Sequence, residues 1–116
     1  MILPEPILLL LAGAVVSVYD VSGYYDGDGM PPWGITASGV PTGPAIVACG
    51  PAYPFGTQFF TLDDDMERVV YDCFDRGGAI HNGRLDTWWK SRAAALRFGR
   101  RAVRMAVLLP EAGACQ

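Results

Sequence analysis

The stretch that decides the fold is Asp75-Arg-Gly-Gly-Ala-Ile-His-Asn-Gly-Arg-Leu-Asp86-Thr-Trp-Trp, which ends at Trp89. Two carboxylates bracket a glycine-rich segment, and two aromatic residues follow the second carboxylate directly. Asn82-Gly83 is a strong turn pair, so a strand is predicted to run back after it over residues 84–89. Adjacent strand residues point to opposite faces, so at most one of Trp88 and Trp89 can face a groove while the other enters the core.

On both sides of this stretch, short strand-like runs alternate with turn residues. Turn chemistry predicts a loop over residues 22–32 and another turn at the three aspartates 63–65. Ser91 is predicted to cap a helix that Gly99 helps to end. The predicted helix spans residues 92–100, and the other predicted strands span residues 35–37, 45–49, 57–62, 67–74 and 103–108.

Length, composition and charge limit the number of domains and the kinds of partner. The chain has 116 residues, of which 51% are hydrophobic, enough for one core but not for two domains. A net charge of −3 and the lack of a basic tract with interleaved aromatics argue against a nucleic-acid partner. Basic residues crowd the C-terminal third, which indicates either a solvated helix face or a face that meets an acidic polymer such as cell wall.

Four short motifs occur in one order along the chain. They are Thr36-Ala-Ser-Gly39, Pro54-Phe-Gly-Thr57, the Asp75 to Asp86 segment, and the predicted helix with its Phe98-Gly-Arg-Arg101 end. In this order the sequence resembles the three-aspartate (3D) domain family, which is related to membrane-bound lytic transglycosylase A and to stationary-phase survival-type cell-wall lytic enzymes. The resemblance implies a mainly β fold, a small six-stranded double-psi β-barrel with one short α-helix near the C-terminus.

The resemblance also implies a reaction and the residues that perform it. Asp86 matches the family's catalytic aspartate, which protonates the glycosidic oxygen of peptidoglycan and then takes the proton of the muramyl C6 hydroxyl, closing a 1,6-anhydro ring. An ordinary Asp titrates near about pH 4, so its acid form at neutral pH needs burial or a second carboxylate, which Asp75 is expected to supply. The implied partner is the glycan strand of peptidoglycan, with no metal and no cofactor.

Other residues are candidates for holding the sugar. Thr36 and Ser38 match groove residues of the family and are expected to bind sugar hydroxyls, unless they simply end a strand. Sugars pack their C–H faces against aromatic rings, so Tyr25, Trp33 and Trp88 are candidate platforms, with a place in the core as the alternative.

The chain departs from the family at Gly50, where the first of the three aspartates usually stands, so a supporting carboxylate is absent. The alternative function is therefore a non-catalytic cell-wall-binding or structural module, such as a phage tail or other virion component, that keeps the barrel. Hydrolysis of another glycan would need a second carboxylate to activate water.

The N-terminal segment is distinct from the rest. Residues 7–18 read ILLLLAGAVVSV, a run as long as the apolar part of a signal peptide and short of a usual membrane span. Glu5 precedes it and no Lys or Arg does. We divide the chain into an apolar segment, 1–14, a barrel domain, 15–109, and a tail, 110–116. The apolar segment indicates export, an anchor or self-association in an assembly, and the location is extracellular or cell envelope, or alternatively a virion.

Three cysteines, Cys49, Cys73 and Cys115, lack the spacing of a zinc site. Cys49 and Cys73 lie in apolar strand-like runs, where a pair across neighbouring strands is possible and buried free thiols are commoner. We expect free thiols.

Overall fold

The structure is a computed structural model that describes residues 15–26, 34–64 and 66–110. In these ranges six strands close into a barrel, and the one helix is α1. The elements in chain order are β1 (Val15–Tyr24), β2 (Ile46–Ala48), β3 (Gln58–Thr61), β4 (Val70–Asp75), β5 (Arg84–Trp88), α1 (Arg92–Phe98) and β6 (Arg101–Leu108). The expectation of a mainly β, six-stranded barrel with one short helix is confirmed.

Strand order around the barrel is β1-β5-β2-β4-β3-β6, so several chain neighbours are not neighbours in the sheet. β1 pairs in parallel with β5, and β2 pairs in parallel with β4. The remaining contacts around the barrel are antiparallel. Two parallel pairs inside a small closed sheet are consistent with the double-psi barrel that the family resemblance implies.

Alternation along the strands separates the core from the outer face. In β4 and β5 every second residue is buried, as expected of strands with one face turned into a barrel. The core is built by buried apolar side chains, among them Val21, Val47, Phe59, Leu85 and Met105, each 0% exposed. On β5 this pattern leaves Arg84, Asp86 and Trp88 at the alternate, less buried positions.

The helix forms where the sequence predicts it. Ser91 accepts a hydrogen bond from the Ala94 amide at 3.1 Å, which caps the first turn. Gly99 ends the helix with a φ of 70°, a conformation that glycine adopts without strain. Phe98 packs on Trp89 at a ring separation of 5.1 Å, so Trp89 belongs to the core side, as expected for one of the two tryptophans.

Three local predictions were wrong. The predicted loop begins too early, because β1 continues through residues 22–24, where β5 pairs with it. Residues 35–37 form a loop closed by one bridge between Ile35 and Pro41, rather than a strand. The Asn82-Gly83 turn exists, but β5 does not run back along β4, because β2 lies between them.

The expectation of free thiols was also wrong, because Cys49 and Cys73 form a disulfide. Val47 lies opposite Cys73 in the β2–β4 pair, which brings the two cysteines within a Cα separation of 5.9 Å. Such a separation is typical of disulfides. The bond therefore ties together the two parallel strands that carry Ala48 and Asp75.

Some predictions fall on residues outside the described ranges. These are the apolar segment 1–14, Trp33, and residues 111–116 of the tail. Among the described residues, no helix has the length and apolar character needed to cross a membrane.

Candidate active site

A single row of paired residues crosses four neighbouring strands and contains both candidate carboxylates. Ser22 lies opposite Asp86, Asp86 lies opposite Ala48, and Ala48 lies opposite Asp75. The register of β2 on β4 shifts between Val47 and Ala48, which moves Ala48 past Phe74 to Asp75. The two aspartates predicted from the sequence therefore flank the same residue, one on each side of β2.

Asp75 is buried and its carboxylate is held by three donors. The side chain is 2% exposed. The Tyr24 hydroxyl donates to Oδ2 at 2.9 Å, and the amides of Ala37 and Arg76 donate to Oδ1 at 2.8 and 2.9 Å. Through these hydrogen bonds the buried carboxylate of Asp75 on β4 is connected to β1 and to the 35–41 loop.

Tyr24 connects the neighbourhoods of the two aspartates. Burial raises the pKa of its phenol above the ordinary range, and the negative charge of Asp75 raises it further. The charge of Asp86 also contributes to raising this pKa, so Asp86 lies within electrostatic reach of the same hydroxyl. Tyr24 is therefore a neutral hydrogen-bond donor to Asp75 near neutral pH.

Asp86 differs from Asp75 in exposure and in partners. It is half-buried on β5, and the Ser22 hydroxyl donates to its Oδ1 at 3.0 Å. Arg84 Nη2 donates to Ser22 Oγ at 2.8 Å. Because a guanidinium has only donors, it fixes the serine oxygen as acceptor and leaves the serine proton for Asp86.

Sequence reasoning missed Ser22 and Arg84. Ser22 fell in a predicted loop, so its pairing with Asp86 in the sheet could not be anticipated. Arg84 was counted only among the basic residues of the C-terminal third. Its position two residues before Asp86, on the same face of a predicted strand, was the available signal. Its Nε is buried and has no hydrogen-bond partner among the described residues.

Thr36 and Ser38 belong to a loop that lies over Asp75. The Ala37 amide binds Asp75, and the Ser38 amide donates to Phe74 O at 3.1 Å. Thr36 is 4% exposed and its hydroxyl donates to Val40 O at 2.8 Å. Since that uses the threonine proton, the 2.9 Å contact between the two hydroxyls has Ser38 as donor, and Ser38 Oγ keeps acceptor capacity.

Two open pockets lie near the candidate site, and the larger one includes Ser22 of the row. One, of about 430 Å³, is lined by Ser22 and Tyr25 together with residues of α1. The other, of about 260 Å³, is lined by both tryptophans, Trp88 and Trp89, and by the basic residue Arg97. Trp88 is half-buried, and its Nε1 donates to Asp26 Oδ1 at 3.2 Å. The structure thus brings two of the three candidate platforms, Tyr25 and Trp88, to pockets, and Trp33 lies outside the described residues.

Gly50 has a steric reason to be glycine in this chain. A Cβ there would lie 2.6 Å from Asn82 Cα, closer than real contacts allow. Asn82 is itself held, because its Oδ1 accepts from the Ala52 amide at 2.9 Å. The place where a third aspartate would point is therefore filled by the Asn82 turn.

Among the described residues, no three His, Cys, Asp or Glu side chains form a group suited to a metal ion.

Two solved structures to which the chain is similar are of a lytic transglycosylase. The chain is similar to the crystal structure of MltA from E. coli, with 25% sequence identity and a TM-score of 0.50 over 66% of this chain and 28% of that chain. A single-residue variant of the same E. coli enzyme in an apo form also matches, with 23% identity and a TM-score of 0.50 over 66% of this chain and 27% of that one. The chain thus spans under a third of the length of these enzymes, and its barrel is consistent with a 3D domain related to MltA.

No protein-family model matches the chain, and no curated protein sequence matches it either.

Proposed function

We propose that this barrel cleaves the glycan strand of peptidoglycan as a lytic transglycosylase, with Asp86 as the acid and then the base. The observation that carries the proposal is the environment of Asp86 in an MltA-like barrel. It is half-buried on the outer face, and its Oδ1 is oriented by Ser22, which Arg84 orients in turn. A carboxyl group that touches a polymer must be both accessible and fixed in direction.

The reaction needs one carboxyl group that acts first as an acid and then as a base. Protonated Asp86 gives its proton to the glycosidic oxygen as the bond from the muramyl C1 breaks. The resulting carboxylate then accepts the proton of the muramyl C6 hydroxyl as that oxygen bonds to C1. The proton returns to Asp86, the product carries a 1,6-anhydro ring, and no water is consumed.

Asp75 has a different role in this proposal. Two of its three described donors, Tyr24 and Ala37, come from other segments, so Asp75 on β4 holds β1 and the 35–41 loop in the arrangement that Asp86 needs. In the sheet, Asp75 lies on the far side of Ala48 from Asp86. We therefore assign chemistry to Asp86 and positioning to Asp75.

Two side chains near the row of paired residues, Ser38 and Trp88, are proposed to contact the substrate. Ser38 Oγ, with acceptor capacity left, is suited to receive a hydrogen bond from a sugar hydroxyl, whereas the Thr36 hydroxyl is committed to Val40 O. Trp88 lies two residues beyond Asp86 on the same face and lines an open pocket, so its ring is the proposed platform for a neighbouring sugar.

The test is mass spectrometry of purified peptidoglycan after incubation with the protein, with Asp86→Asn and with Asp72→Asn. Asp72 is a matched control, because it is a half-buried aspartate on β4 whose carboxylate binds Gln58. We expect anhydromuropeptides from the wild type and from Asp72→Asn, and none from folded Asp86→Asn. Reducing-end products would identify a hydrolase instead. No soluble product from folded wild-type protein that still binds the wall would favour the non-catalytic module.

A further inference from the structure

The pocket of about 430 Å³ between β1 and α1 is connected to Asp86 through one residue. Ser22 lines this pocket, and its hydroxyl donates to Asp86 Oδ1 at 3.0 Å. A substrate positioned for cleavage at Asp86 therefore lies next to the opening of the pocket. The pocket is within the usual size range of sites for small ligands, about 300 to 1,000 Å³.

The lining combines an apolar surface with cationic groups. Tyr25, Ala95 and Leu96 supply ring and aliphatic surface, and Leu96 is 66% exposed although it is a large apolar side chain. Arg92 and Arg100 supply guanidinium groups. This combination is suited to a ligand that carries a carboxylate on a short, partly apolar backbone.

The two arginines differ in how far they are already neutralised. Arg100 forms an ion pair with Asp20. Arg92 forms no ion pair or side-chain hydrogen bond with any described residue, so its charge is available to a ligand. No acidic side chain lines the pocket among the described residues. The pocket therefore favours an anion, and Arg92 is the group that would bind it.

We propose that this pocket binds the carboxylate-bearing stem peptide carried by the muramyl residue next to the cleaved bond. The inference rests on the proposed function, since it takes the peptidoglycan strand as the substrate. The stem begins on the muramyl sugar and carries free carboxylates on a short peptide, which matches the apolar surface and the unpaired guanidinium. The pocket therefore makes the protein selective for peptide-bearing glycan over bare glycan.

The kinetic test uses Arg92→Gln with two substrates, peptide-bearing glycan strands and the same strands after amidase removal of the stems. We expect KM to rise about threefold to fivefold on peptide-bearing strands, the effect of losing one exposed ion pair, and to stay unchanged on bare strands. Arg97→Gln removes the same charge from the same helix but lines the other pocket. Arg97→Gln should change KM by the same factor on both substrates. An equal change on both substrates for Arg92→Gln would overturn the inference while leaving the proposed activity intact.

A binding measurement separates this inference from the proposed reaction. Synthetic L-Ala-γ-D-Glu-L-Lys is titrated into the full chain, and amide chemical shifts are followed by NMR. We expect shifts at residues around Arg92 and Leu96 that are lost in Arg92→Gln and kept in Arg97→Gln. Shifts without lytic activity would support the pocket and count against the enzyme. Activity without such shifts would overturn the pocket alone.

Discussion

The Ser22 hydroxyl donates to Asp86 Oδ1 at 3.0 Å while accepting from Arg84 Nη2 at 2.8 Å. Ser22 and Asp86 are partners in the parallel β1–β5 register, so this contact is built into the sheet rather than into a loop. A strand pair holds side chains more precisely than a loop does. The orientation of the proposed acid is therefore a consequence of the barrel topology.

Replacing Ser22 with alanine should lower kcat by about tenfold and change KM little. The loss of one hydrogen bond to a charged group costs about 1.5 kcal/mol, which corresponds to that factor when the contact acts in the transition state. Ser22→Thr keeps a hydroxyl and should restore most of the rate. A kcat for Ser22→Ala equal to that of the wild type would show that Asp86 does not need this contact. The thermal midpoint of each variant checks that the fold is retained.

Asp75→Asn should destabilise the protein, unlike Asp86→Asn. An amide can accept at only one of its two heavy atoms, so at least one of the donors from Tyr24, Ala37 and Arg76 would lose its acceptor in a buried place. We expect a fall of about 2 to 3 kcal/mol in the free energy of unfolding, measured with urea. For Asp86→Asn the free energy of unfolding should fall by less than about 1 kcal/mol, since Asp86 is only half-buried. Equal losses in the two variants would refute the division of roles.

The disulfide should contribute about 3 kcal/mol to stability. Cys49 and Cys73 are 24 residues apart in sequence, and a cross-link of that span removes considerable freedom from the unfolded chain. The measurement compares urea unfolding of the wild type with that of Cys49→Ala/Cys73→Ala, and Cys115→Ser serves as the control that should change little. Alkylation of the unfolded, unreduced protein should label one cysteine. Labelling of all three would show that the disulfide is absent.

Local signals in the sequence predicted most elements of this fold. The cap at Ser91, the glycine at Gly99 and the Asn82-Gly83 turn pair depend on near neighbours, and the helix and β5 form where these signals place them. The pairing of Ser22 with Asp86 spans 64 residues and depends on strand order, which no local pattern encodes. The disulfide was missed for the same reason, because strand-like runs do not reveal which strands are neighbours.

The sequence named the two candidate carboxylates but did not indicate how their surroundings differ. The resemblance to the 3D family singled out both aspartates, and the structure brings them to opposite sides of Ala48. Their different burial follows the alternation of β4 and β5, which places Asp75 at a buried position and Asp86 at a less buried one. The local sequence did not explain Gly50, because its steric conflict with Asn82 depends on a turn 32 residues away in sequence.

Alkaline pH should weaken the folded state through Tyr24. Burial, followed by the charge of Asp75, raises the pKa of this phenol above its ordinary value of 10.0, so the folded state keeps the proton at pH values where the unfolded chain has lost it. The unfolded state then binds fewer protons, and the free energy of unfolding falls as pH rises above about 10. Tyr19 and Tyr71 add to the fall, because burial also raises the pKa of each.

Urea unfolding at several pH values between about 8 and 11 should therefore show a plateau followed by a decline. In Tyr24→Phe the decline should be shallower, even though the variant starts from a lower plateau because Asp75 loses a donor. An identical slope in the two proteins would show that Tyr24 does not hold its proton more tightly in the folded state.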